Sequence, residues 1–297
     1  ANHGGKLSKA LDIIARAKEA GADAIKIQTY RADTITLNSD GADFLIKGKN
    51  PWSDYKNLYN LYKAAYTPWK WHEKLFNEAK KNEIILFSSP FDRTAVKFLE
   101  QLDCPAYKIA SPEISDFELL RDVAKTNKPV ILSTGLAKKE DIDDAVRVLR
   151  SNGALEIAIL KCTTSYPAPF SEINLRTITD YMEEYNCLTG ISDHTIGDSI
   201  PIASVALGGK IIEKHFIIKK DDITADSFFS MDFIDFKKMT QKIREVEKAL
   251  GSVNYDLTES SIKNYNGRRS LYVSSDIGKG EKISKKNIKS VRPGFGL

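Results

Sequence analysis

The sequence predicts an α/β fold: a TIM-type (β/α)8 barrel followed by a small β-rich domain. Three observations carry this expectation. Short runs rich in β-branched residues alternate with helical patterns of about 10–15 residues, which is the signature of βαβ units and a parallel sheet. Those strand runs are nearly all apolar, as expected when helices cover the sheet and side chains fill its inside. After residue 251 the composition turns polar, and a separate β pattern begins near residue 268. The 297 residues, 42% apolar and 28% charged, are enough for one barrel of about 250 residues plus a small unit.

Taken in order, the chain opens with a loop and then a helix over 7–21, where Leu7, Ala10, Leu11, Ile14 and Ala17 follow helical spacing and Gly21 stops it. A strand follows at 23–30. The stretch 31–65 is an insertion of mixed polar and aromatic character, and a helix over 67–81 is expected with Thr67 as N-cap and Pro68 at its first position. Strands are expected at 84–90, 106–111, 129–135, 156–164, 188–195 and 210–216. Helices are expected at 93–102, 117–126, 139–152, 175–185, 199–207 and 233–250. The first helix has no strand before it, so the barrel expected over 1–251 lacks its first strand in the chain as given. Residues 252–267 read as a linker, and 268–297 as the start of a small domain, too short to bury a core alone. The opening ANHGG reads as a cut end.

Composition excludes several function classes. A net charge of +4, spread along the chain, argues against nucleic-acid binding. No apolar run reaches the roughly 20 residues of a membrane span, and no secretory leader is visible. Three widely spaced cysteines, Cys104, Cys162 and Cys187, suit a reducing cytoplasm better than a disulfide framework.

In βα barrels chemistry sits at the carboxyl ends of the strands. Those ends supply Lys26, Gln28, Ser89, Lys108, Ser111, Glu113, Ser133, Thr164, Tyr166, Ser192, His194 and His215. Cations and hydroxyls at nearly every strand end are what an anionic ligand needs. Lys26 and Lys108 lie in apolar strands, where an unpaired charge is costly and a bound phosphate or carboxylate would compensate it. His194 and His215 close adjacent strands and are candidate ligands of an exchangeable divalent ion such as manganese, magnesium or cobalt, while His72, on a helix, reads as a packing residue. Asp193 is a candidate for holding one of the histidines, and Glu113 and Asp226 for moving protons or orienting a polyol. Lys161, inside its strand, allows an alternative Schiff-base aldolase chemistry, and a non-catalytic sugar-binding module is also compatible with these residues.

The ordered segments ANHGG, IKIQTY, YTPWKWH, FSSPFD, PAYKIAS, ILSTG, KCTTSYPAP, GISDHTIG, VALGGKIIEKHF, RRSLYV and RPGFGL, spread over the whole chain, resemble the sialic acid synthase family. IKIQTY, FSSPFD and RRSLYV are most similar to its pseudaminic branch. The resemblance implies a barrel followed by an antifreeze-like (SAF) domain, here truncated. It implies condensation of phosphoenolpyruvate with an open-chain aminosugar aldehyde, assisted by a divalent metal. For the pseudaminic branch that aldehyde is 2,4-diacetamido-2,4,6-trideoxy-L-altrose, and the neuraminate and legionaminate synthases, which take other aminosugars, are the alternative. Carried over by position, His194 and His215 resemble metal ligands. Lys26, Lys108, Ser133 and Thr164 resemble phosphate contacts, and Ser89, Ser111 and Ser192 lie around the carboxylate. Asn2, Gln28, Glu113, Tyr166 and Asp226 fall on the sugar side. Arg292 is similar to an arginine that the small domain donates across a domain-swapped homodimer. The catalytic candidates are therefore Glu113, Lys108, His194 and His215.

Overall fold

The computed structural model describes residues 2–48 and 51–293, which fall into two units, Ala1–Leu250 and Gly251–Leu297. Among the described residues the first unit is built on seven parallel strands in sequential order: β1 Ala24–Thr29, β2 Ile85–Pro90, β3 Tyr107–Ile109, β4 Val130–Ser133, β5 Ile157–Cys162, β6 Leu188–Asp193 and β7 Ile211–Lys214. Helices α1 Leu7–Glu19, α2 Ala32–Ile35, α3 Leu58–Ala65, α4 His72–Lys81, α5 Arg93–Glu100, α6 Phe117–Ala124, α7 Lys139–Ser151, α8 Thr177–Tyr185, α9 Ser199–Ala206 and α10 Phe233–Leu250 punctuate the strands. Local chemistry sets several helix starts: Asp92 accepts from the backbone N–H groups of Thr94 and Ala95 to cap α5, and Asp116 accepts from Leu119 N to cap α6.

The apolar spacing read from the sequence is the packing that forms. Ala10, Ile14 and Ala17 of α1 are buried and join Leu75 and Ala79 of α4 over β1 and β2. A larger cluster unites Leu120, Val123, Leu132, Leu149 and Ile159 between β3–β5 and helices α5–α7. Among the described residues β1 and β7 each pair on one side only, and both edges line one apolar groove of about 530 Å³ with Ile14 and Ile243.

Three local expectations change. The helix expected over 67–81 is a 3-10 turn, Trp69–Trp71, followed by α4. Thr67 caps nothing; its hydroxyl is buried against His3 Nε2 at 3.3 Å. The strand expected over 210–216 stops at Lys214, and β8 Phe216–Ile217 pairs instead with β9 Met231–Asp232. His215 therefore sits at a break between two strands, and the connection 218–230 folds back over it.

In the second unit, the stretch read as linker contains a short helix, α11 Glu259–Ile262, and a 3-10 turn, Tyr265–Gly267. Beyond it β10 Ser270–Val273 and β11 Ile288–Val291 form an antiparallel pair. Among the described residues no helix is long and apolar enough to cross a membrane.

Candidate active site

Strand periodicity arranges the site. Successive side chains of a strand point to opposite faces, and β6 and β7 run in register with Ser192 opposite Glu213 and Asp193 opposite Lys214. Ser192 and Glu213 share one face, where Ser192 Oγ donates to Glu213 Oε1 at 3.0 Å. One residue on, Asp193 and Lys214 meet at 2.5 Å. Next come His194 and His215, whose ring centroids are 5.4 Å apart.

The lysines are not waiting unpaired for an anion, which corrects the sequence expectation. Lys26 Nζ donates to Glu213 Oε1 at 2.6 Å, and Lys108 Nζ lies 4.0 Å from the same oxygen. Lys108 is 1% exposed; it also donates to Ser133 Oγ at 2.6 Å and to the carbonyl of Ile109 at 3.0 Å. Burial pulls its pKa down to about 8, against the attraction of Glu213 and with the help of Lys26. Burial alone would raise the Glu213 carboxyl, yet Lys108 and Lys26 hold it far below the usual carboxylate range. Two cations against one carboxylate leave a net positive patch at the strand ends.

The histidines form the neighbouring patch. Burial drives the pKa of His215 down to about 3 despite Asp226, whose Oδ2 is 3.9 Å from its Nδ1, so the imidazole is neutral. His194 Nδ1 sits 3.0 Å from the carbonyl of Thr163; donation there leaves a lone pair on Nε2. Cys162 Sγ lies 3.9 Å from the same Nδ1. Burial pushes the thiol up, but His194, Ser111 and Lys108 together bring it down to about 7, and His194 is raised by the same contact against the pull of its own burial. Two adjacent imidazoles with a nitrogen to spare suit an open divalent site completed by water or substrate. Among the described residues no group of three or more His, Cys, Asp or Glu side chains converges as a closed cage.

The remaining candidates surround these two patches. Glu113 lies in the 3-10 turn Ser111–Ser115 directly after β3. Burial lifts its pKa to about 7, only partly opposed by a backbone N–H and Lys108, and its Oε2 is buried with no hydrogen-bond partner. Ser111 Oγ accepts from Gly135 N at 2.9 Å, and Ser89 Oγ donates to the carbonyl of Lys108 at 2.7 Å. A Cβ on Gly135 would fall 2.2 Å from Thr164 Oγ1, 2.9 Å from Cys162 Sγ and 3.0 Å from Ser111 Oγ, so glycine lets these groups close on one spot. Gln28 stands opposite Ser89 in the β1–β2 register. Tyr166 packs on His194 with centroids 4.5 Å apart and on Phe229 at 4.9 Å.

Several candidates have other duties. Asn2 gives its amide to Phe216 O and Ser230 Oγ and accepts from Thr224 Oγ1, bracing the connection that carries Asp226. Asp193 touches no histidine; it binds Lys214 and Thr195. Lys161 points away from the face that Cys162 shares with His194, donates to the carbonyl of Cys162 at 2.8 Å and borders a hollow with Arg176 and Tyr181. His72 is fully buried against Thr29 Oγ1 at 2.8 Å. Arg292 is exposed on the second unit, just beyond β11. The sequence alone assigns Glu213 no role, and it marks Cys162 only as a sign of compartment. Glu213 is two residues before His215 in the run expected to be one strand, and period two along that run points both to one face.

With this geometry in place, comparison with known proteins is specific. Residues 13–255 match the model of the NeuB family. A pseudaminic acid synthase of Campylobacter jejuni is 47% identical over 297 residues, covering 100% of this chain and 86% of that protein. A pseudaminic acid synthase of Helicobacter pylori is 43% identical over 298 residues, covering 100% and 87%. A crystal structure of an N-acetylneuraminic acid (sialic acid) synthetase from Leptospira borgpetersenii, in complex with citrate, superposes with a TM-score of 0.78 at 29% identity, covering 89% of this chain and 86% of that one.

Proposed function

From the premise that the chain belongs to the NeuB family, we propose that it is an enzyme condensing phosphoenolpyruvate with 2,4-diacetamido-2,4,6-trideoxy-L-altrose to give pseudaminic acid and phosphate. The observation that carries the chemistry is the meeting of Lys26, Lys108 and Ser192 around the Glu213 carboxylate, with Ser133 against Lys108, beside His194 and His215. A cationic, hydroxyl-lined patch suits a small, highly charged anion. The adjacent histidines would hold a divalent metal through their free ring nitrogens. Such an ion, when bound, supplies Lewis-acid polarisation of an aldehyde oxygen.

The protein's own groups have the following tasks. Lys108, Lys26, Ser133 and Thr164 bind the phosphate, and Ser89, Ser111 and Ser192 lie around the carboxylate. Gln28, Tyr166 and Asp226 face the sugar, and Asn2 holds the connection bearing Asp226 in place. Bond formation between C3 of phosphoenolpyruvate and the aldehyde carbon turns the carbonyl oxygen into an alkoxide that takes a proton. It leaves C2 electron-poor; water adds there and gives up a proton, and the resulting tetrahedral centre expels phosphate. Glu113, buried with one bare oxygen and a pKa about 7, is suited to hold and pass that proton near neutral pH. The 43–47% identity to pseudaminic acid synthases over the full chain supports this sugar over its neuraminate and legionaminate counterparts. In this reading the first unit is a TIM-type barrel and the second belongs to an antifreeze-like domain. The enzyme works in the cytoplasm as a domain-swapped homodimer, with Arg292 reaching the sugar of the partner's site.

Phosphate release tests the proposal. It is expected only when phosphoenolpyruvate, the aldehyde and Mn²⁺ are present together. Full activity in the presence of a chelator would remove the metal from the scheme, and release of phosphate without the aldehyde would remove the condensation.

A further inference from the structure

The strands that end in the two histidines carry a second, oppositely directed pair. Asp193 and Lys214 are directly opposed in the β6–β7 register, one residue before His194 and His215. Their side chains are 0% and 2% exposed. Lys214 Nζ reaches Asp193 Oδ2 at 2.5 Å and the carbonyl of Thr195 at 2.7 Å. Asp193 Oδ1 accepts from Thr195 N at 2.9 Å, and its Oδ2 accepts from Thr195 Oγ1 at 3.1 Å. Both charged groups are thus enclosed and hydrogen-bonded.

The backbone ladder gives this pair its importance. Pairing of β6 with β7 ends at Asp193 and Lys214. Beyond it the chains part: the carbonyl of His194 accepts from Ala168 N at 3.0 Å, and that of His215 accepts from Met231 N at 2.8 Å. The imidazoles therefore stand past the last backbone rung. A buried ion pair is a poor source of stability, because desolvation offsets most of its attraction. Its geometric effect is what remains.

We propose that Asp193 and Lys214 are positioning residues: their enclosed pair clamps the end of β6 to the end of β7 and so fixes the separation and tilt at which His194 and His215 present their rings. The consequence for metal binding rests on the reading of those histidines as the divalent site; the clamp itself does not.

The test uses the full chain carrying Asp193→Asn together with Lys214→Met, which removes both charges and leaves no lone buried ion. Thr195→Val, which deletes a single hydrogen bond to Asp193, is the milder companion. Three quantities are read: the thermal midpoint, cross-relaxation between the carbon-bound ring protons of selectively labelled His194 and His215, and Mn²⁺ affinity by electron paramagnetic resonance. The double variant is expected to stay folded, lose the ring-to-ring signal and bind Mn²⁺ roughly ten- to hundred-fold more weakly, the usual cost of removing support behind metal ligands. A folded double variant with unchanged ring contact and unchanged Mn²⁺ affinity overturns the clamp. If the wild type binds no Mn²⁺ while the variant still loses the ring contact, the clamp stands and the metal reading falls. If the double variant does not fold, Thr195→Val decides: a weakened ring contact supports the clamp and an unaltered one refutes it.

Discussion

At the scale of single residues, burial sets the protonation states on which the proposed chemistry depends. Glu113 is raised to about 7 and Lys108 is lowered to about 8, both chiefly by desolvation. If phosphoenolpyruvate requires Lys108 charged, its affinity is lost as pH rises through the folded value, because deprotonation removes the cation the anion needs. If Glu113 must be ionised to accept a proton, kcat/KM rises as pH climbs through its own value. A narrow bell with its maximum between about pH 7 and 8 is expected in a profile of kcat/KM, which reports the free enzyme. Glu113→Gln should flatten the acidic limb while lowering turnover by about 10²–10⁴-fold. Lys108→Met should act mainly on phosphoenolpyruvate affinity, visible as a raised KM. An unshifted KM would remove Lys108 from the anion site. Lys108 is legible in the sequence as a cation inside an apolar strand, and Glu113 as an acid just beyond the end of that strand. Glu213 was not given a role, because its meaning depends on two lysines brought to it from β1 and β3.

At the scale of elements, close backbone approach decides where substitutions hurt. A Cβ on Gly190 in β6 would lie 1.8 Å from the carbonyl oxygen of Ile211 in β7. Only displacement of one strand relieves that clash, so Gly190→Ala should destabilise by about 3 kcal/mol and disturb both histidines. Calorimetry checks the first effect. Gly135→Ala presses instead on the flexible ends of Thr164, Cys162 and Ser111. It should leave the fold intact and weaken phosphoenolpyruvate binding, which titration calorimetry would register. The alternation of strands and helices was plain in the sequence because period two and period 3.6 differ sharply. Element ends were harder to read. Thr67 looks like a helix cap by type, but its hydroxyl is taken by His3, and the chain makes a 3-10 turn before α4 begins. The 210–216 run divides at His215 because β8 finds its partner in β9, a strand too short to announce itself.

At the scale of the whole molecule, the seven sequential parallel strands bring residues from the length of the first unit to one end of one sheet. Lys161 separates the proposed synthase from a Schiff-base aldolase. It borders a hollow with Arg176 and Tyr181 that Cys162 also lines, its ammonium is tied to the carbonyl of Cys162, and strand alternation turns it to the side opposite the Cys162 thiol, so borohydride reduction in the presence of pyruvate should leave it unlabelled. A labelled Lys161 in a peptide map would favour the aldolase. The overall architecture was readable early because it rests on a repeated pattern, whereas the choice among aminosugars rests on pocket shape, which no single strand encodes. The sugar preference is therefore read most directly from phosphate release from phosphoenolpyruvate with Mn²⁺ and three aldehydes supplied one at a time: 2,4-diacetamido-2,4,6-trideoxy-L-altrose and the legionaminate and neuraminate precursors. The highest kcat/KM is expected with the altrose derivative, with one phosphate released per nonulosonic acid formed. A higher kcat/KM with either other sugar, or none with the altrose derivative, would contradict the assignment.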